Sequence, residues 1–119
     1  MPETSPATER PALRLRVYIG EGDHHGGQRL YTAIVELARK SGLAGATVLK
    51  GIEGYGAHSV VHAAHIVDLS ADLPIIVELI DSAEAIRGFL PALTAMVSDG
   101  LITLEDVRIV YRGEGQARS

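Results

Sequence analysis

The stretch LPIIVELIDSAEAIRGFLPALTAMVSDGLITLEDVRIVY, residues 73–111, decides the fold. Its first eight residues, LPIIVELI, are nearly all apolar, which suits a central strand covered on both faces, with Pro74 tolerated near the strand start. Asp81 and Glu84 then have the spacing of a capping box, in which side chains satisfy backbone N–H groups that a first helical turn leaves unpaired. The helix expected from there carries an apolar stripe of Ile86, Phe89, Leu90, Leu93, Met96 and Val97, repeating every three or four residues until Gly100. Pro91 removes one interior hydrogen bond and should kink it. Val107, Ile109 and Tyr111 alternate as a last strand.

Working outward toward the N-terminus, the same plan recurs. Leu13, Leu15, Val17 and Ile19 alternate with Arg14, Arg16 and Tyr18, the period of two of a half-buried strand. Over residues 28–41 the period lengthens, and Leu30, Ile34, Leu37, Ala38 and Ser41 form one helical stripe ending at Gly42. Residues 46–52, ATVLKGI, read as a second strand leading into a loop. Gly42-Leu43 and Gly100-Leu101 mark equivalent points of two strand-helix-strand units. The expected fold is therefore α+β: a ferredoxin-like βαββαβ sandwich, an antiparallel sheet with two helices on one face. Its other face would hold Arg14, Arg16 and Tyr18, a mixed surface expected to meet further copies of the chain in a closed ring.

A chain of 119 residues fits one domain. With 46% apolar residues but one Phe, four Tyr and no Trp, its core must be aliphatic. A formal charge of −4 opposes nucleic-acid binding, which needs concentrated basic surface. The absence of cysteine removes disulfides and thiolate chemistry and fits a cytoplasmic location. Residues 1–12 read as a disordered polar tail, 13–112 as the domain and 113–119 as a loose C-terminal tail. No run approaches the roughly 18 apolar residues that span a bilayer, so no direct membrane insertion is expected.

Residues with chemical potential are few. Gly51-Ile52-Glu53-Gly54-Tyr55-Gly56-Ala57 follows a strand, where N–H groups cradle an anion or merely make a turn. It is neither a Walker A loop nor a dinucleotide fingerprint. His58, His62 and His65 would share one face if helical, with zinc or nickel spacing, and would diverge if extended. His24-His25, before two glycines, read as solvated turn residues. Glu78 alternates with buried strand positions and Asp81 is expected to cap, so no nucleophile–base pair emerges and the chain is not expected to be an enzyme.

The segments LRVYIGEGD, LYTAIVELARKSGLAGATVLKGIEGYG, LPIIVELIDS and DGLITLEDVRIV together resemble the bacterial PII-like family catalogued as domain of unknown function one-ninety. The resemblance runs from about Leu13 to Tyr111. It implies a ferredoxin-like trimer that binds an adenine nucleotide or small anion between subunits. It also implies a segment, residues 54–70 here, that contacts a membrane transporter or an enzyme. Gly54-Tyr55-Gly56 matches the glycine-aromatic-glycine at the base of the PII loop. On this resemblance the ligand-binding positions are Thr47, Gly51, Gly54, Gly56, His62, Gly100 and Arg112. Two departures stand out: Ala57 occupies the place of a basic residue, and Asp99-Gly100-Leu101-Ile102 that of a Gly-Asp-Gly-Lys turn. Charge for a triphosphate would then have to come from Arg112, Arg108 or Lys50 of a neighbouring subunit. The alternative is a divalent-metal-binding trimer that uses His58, His62 and His65, since PII-related trimers include proteins linked with divalent-ion tolerance.

Overall fold

A computed structural model describes residues 9–56 and 72–113. The elements run β1 (Arg10–Gly20), β2 (His24–His25), β3 (Gln28–Arg29), α1 (Leu30–Lys40), β4 (Thr47–Lys50), β5 (Pro74–Asp81), α2 (Ala83–Met96) and β6 (Leu101–Ile109). The four longer strands form one antiparallel sheet in the order β4-β5-β1-β6, and β2 and β3 make a small separate ladder. With the ladder set aside, the chain is the expected βαββαβ sandwich.

Alternation on the two inner strands builds the core. Leu13, Leu15, Val17 and Ile19 of β1, with Ile75, Val77 and Leu79 of β5, are buried against Leu30, Ile34 and Ala38 of α1 and Ile86, Phe89 and Leu93 of α2. On β6 it is Ile102 and Leu104 that pack against this cluster. Val107 pairs with Ala12, on the opposite face of the sheet. The expected last strand, centred on residues 107–111, therefore begins earlier and leaves Tyr111 beyond its end. β1 likewise begins at Arg10, ahead of the expected Leu13, because Arg10, Pro11 and Ala12 pair with Ile109, Arg108 and Val107.

Two helix boundaries are set by local hydrogen bonding. After α1, Gly42 takes a positive φ of 84°, and Leu43 N–H donates to Ala38 O at 3.1 Å, the left-handed stop that glycine adopts without a Cβ penalty. The start of α2 differs from the expected capping box. Ser82 is the N-cap, its hydroxyl accepting from Ala85 N–H at 3.1 Å. Asp81 remains the last residue of β5, buried, its carboxylate accepting from Ala44 N–H at 2.9 Å and Ser82 N–H at 2.7 Å. It thus ties the loop before β4 to the entry of α2. The helix continues through Pro91, whose carbonyl accepts from the Thr94 hydroxyl at 3.1 Å.

Among the described residues only one face of β5 is covered, whereas its apolar run predicts cover on both. Ile76 and Glu78 are half-buried and Ile80 is exposed on the far side. Cross-strand register aligns Leu49, Ile76, Tyr18 and Leu101 as one apolar row across all four strands of this open face. Among the described residues no helix is long and apolar enough to cross a membrane.

Candidate functional site

The expected ligand residues gather at two places along the sheet. At the first, β1 and β4 finish while β5 and β6 begin. Gly51 leaves β4 with its N–H donating to Pro74 O at 2.7 Å. A Cβ on Gly51 would come within 2.8 Å of the Pro74 ring, and one on Gly54, at φ 156°, within 3.2 Å. The two glycines are therefore required by the close passage of the chain over Pro74. Because the Gly51 N–H is already engaged, it is not one of the anion donors that the sequence suggested. Gly56 is the last described residue of this segment. Gly100 lies at the same end of the sheet, where its Cβ would meet Tyr18 O at 2.8 Å, Val97 Cγ1 at 3.0 Å and Ile19 Cγ2 at 3.1 Å.

Beside these glycines sits a set of charges of which the sequence singled out only Lys50. Lys50 Nζ pairs with Glu21 Oε2 at 3.0 Å, and Glu21 Oε1 is buried with no hydrogen-bond partner among the described residues. The Glu21 main chain is fixed as well, its N–H donating to Leu73 O and its carbonyl accepting from the Arg29 guanidinium, both at 2.8 Å. Asp23 accepts from Gly20 N–H at 3.0 Å, and Asp72 from Gly22 N–H at 3.2 Å.

Further along the sheet, Thr47, which pairs with Glu78 midway along β5, and Arg112, beyond the end of β6, line one open groove of about 550 Å³ with Ala44, Gly45, Ala46, Glu78, Ile80 and Gly113. Between the two ends, the open face carries a second unforeseen group. Arg14 Nε donates to Glu105 at 2.8 Å and Arg16 Nε to Glu78 at 3.0 Å, with Arg16 to Glu105 at 3.8 Å and Arg14 to Glu78 at 4.0 Å closing the quartet. The Glu78 hydrogen bond raises Arg16 above its ordinary value, and the Arg14 hydrogen bond holds the Glu105 carboxyl below its ordinary value. Two arginines and two carboxylates balance, so this mixed face carries little net charge at its centre.

His62, with His58 and His65, lies outside the described residues. Among the described residues no group of three or more His, Asp or Glu side chains could hold a metal ion. His24 Nδ1 lies 2.7 Å from Gly22 O, a local turn contact.

The family model DUF190, described as Uncharacterized ACR, matches residues 12–109. A UPF0166 protein of Methanocaldococcus jannaschii is 41% identical over 101 residues, covering 84% of this chain and 92% of the relative. One of Aquifex aeolicus is 38% identical over 97 residues, covering 82% and 91%. Among solved structures, a candidate PII-like signaling protein of Thermus thermophilus superposes with a TM-score of 0.61 at 20% identity, covering 86% of this chain and 92% of that one. CPII from Thiomonas intermedia, a nitrogen regulatory PII-like protein bound to ADP, AMP and bicarbonate, gives 0.59 at 17% identity, covering 87% and 92%. These likenesses establish the ferredoxin-like, PII-like architecture.

Proposed function

The chain belongs to the DUF190 family, and on that footing we propose that it is a PII-like regulatory subunit, a homotrimer that binds an adenine nucleotide or a small anion between its copies. The observation that carries this reading is the division of the expected ligand residues. Gly51, Gly54 and Gly100 sit at one end of the sheet and Thr47 and Arg112 toward the other. Gly100 precedes β6 and Arg112 follows it, and nine residues of strand separate such points by roughly 30 Å. No small ligand bridges that distance within one chain. Two copies packed through their open faces bring the Arg112 end of one to the glycine end of the next.

The open face supports such packing. Among the described residues its apolar row of Leu49, Ile76, Tyr18 and Leu101 stays in contact with water in a single copy, Leu49 and Leu101 exposed and Tyr18 and Ile76 half-buried. The charge quartet adds a register, since like charges would meet if the copies slipped. CPII, which shares the fold, is described with ADP, AMP and bicarbonate bound. For this chain the same chemical class is the first to test. Binding in the cleft would change which transporter or enzyme partner is contacted through segment 54–70, of which only residues 54–56 are among the described residues, and the ligand's preference for one state supplies the switching energy.

Calorimetric titration with AMP, ADP, ATP and bicarbonate tests the reading. A saturable heat for one of them, weakened about tenfold or more in Arg112→Ala through loss of a charge-assisted contact, is expected. Saturable binding that Arg112→Ala leaves unchanged would contradict the shared cleft.

A further inference from the structure

We infer that Glu21 sets the charge of the ligand admitted at the glycine-rich end of the sheet, so that a nucleoside monophosphate is accepted there in preference to a triphosphate; this rests on the ligand reading above. Lys50 is the cation that β4 delivers beside Gly51. A free lysine at that point would be the natural partner of a phosphate chain. Here its ammonium is held 3.0 Å from Glu21 Oε2, and the Glu21 side chain is only 16% exposed.

The other oxygen of that carboxylate makes Lys50 hard to recruit. Glu21 Oε1 is buried without a hydrogen-bond partner among the described residues, so the ion pair is what compensates the charge. Moving Lys50 onto a ligand would leave a buried carboxylate unpaired, which is costlier than losing a solvated surface pair. The main chain of Glu21, hydrogen-bonded to Leu73 O and to the Arg29 guanidinium, fixes the point from which this carboxylate reaches Lys50.

The surroundings reinforce this. Asp23 and Asp72 place two more carboxylates at the same strand end, and they take up the N–H groups of Gly20 and Gly22. Those donors are therefore turned onto protein oxygens and away from any arriving anion. A triphosphate brings more negative charge than a monophosphate into this field. Near a protein surface, with an effective dielectric constant of about 20, each extra ligand charge within about 8 Å of one carboxylate changes affinity by roughly tenfold or more at low salt.

The test is calorimetric titration of wild type, Glu21→Gln and the double variant Glu21→Gln/Lys50→Met with AMP, ATP and inorganic tripolyphosphate at low ionic strength. Circular dichroism verifies folding, and Glu21→Ala, which removes the same charge, replaces the Gln form if that form misfolds. Glu21→Gln should raise ATP affinity relative to AMP about tenfold and gain tripolyphosphate binding, and the double variant should return to the wild-type ratio. An ATP-to-AMP ratio within twofold of wild type in the Glu21 variants overturns the inference. If wild type and variants bind no adenine nucleotide, the nucleotide reading fails by itself. In that case tripolyphosphate decides: binding gained on removal of Glu21 upholds the role of Glu21, and none gained overturns it.

Discussion

Replacing Gly100 by alanine probes the point where β6 leaves the α2 loop and passes over β1. The new methyl carbon would lie 2.8 Å from Tyr18 O, 3.0 Å from Val97 Cγ1 and 3.1 Å from Ile19 Cγ2. Carbon–oxygen contacts are comfortable only from about 3.3 Å, so the carbonyl must retreat by roughly 0.5 Å. It cannot do so alone, because Tyr18 pairs with Leu101 in a β1–β6 register that runs on to Arg10 and Ile109. Overpacking against a fixed backbone costs about 1–3 kcal/mol. For a domain near 100 residues each kcal/mol lowers the melting temperature by about 4–8 °C, so a fall of roughly 4–24 °C is expected. Gly88 is the internal control. It is exposed in the interior of α2, with nothing within 4 Å of the place an added methyl would take, and alanine there should stabilise by about 0.5–1 kcal/mol. Urea unfolding at one fixed protein concentration gives both values. Gly100→Ala as stable as wild type, or Gly88→Ala less stable, would refute the packing argument.

Two further perturbations bear on the fold and the open face. In Asp81→Asn one of the two acceptor oxygens becomes an NH₂ facing Ala44 N–H or Ser82 N–H, and denaturant unfolding should show a loss of about 1–3 kcal/mol; an unchanged midpoint would mean that this buried bridge contributes nothing. The Arg14 hydrogen bond depresses the Glu105 carboxyl below 4.5, so its contribution is fully present above that pH and is lost as pH falls through the lower folded value. Stability followed by acid titration should decline less steeply below pH 4.5 in Glu105→Gln than in wild type, and parallel curves would contradict the assignment.

The strand and helix order was legible because each element has a clean period: Leu13 to Ile19 alternate, and Leu30, Ile34 and Ala38 share one stripe. The two shifts at the α2 entry and in β6 have physical causes. Asp81 and Ser82 are adjacent and both are good caps, and only the distant Ala44 N–H, which claims Asp81, leaves the cap to Ser82. In β6 the strand starts among residues whose outward neighbours are polar or exposed, Thr103 and Glu105, and only pairing with β1 reveals Ile102 and Leu104 as the core positions. The candidate site was legible in part. Glycines at a strand exit stand out in any sequence, and the structure gives Gly51, Gly54 and Gly100 steric reasons to be glycine. The partners that set the electrostatics did not stand out, because Arg14 meets Glu105 and Glu21 meets Lys50 through strand register, across separations along the chain that no local pattern encodes.

The central claim, that the ligand cleft exists only between copies, is tested most directly by the mass of the chain in solution. Multi-angle light scattering at micromolar concentration should return about three times the 12.6 kDa chain mass, with and without AMP. A single 12.6 kDa species that still binds AMP would place the whole site within one chain and contradict the account.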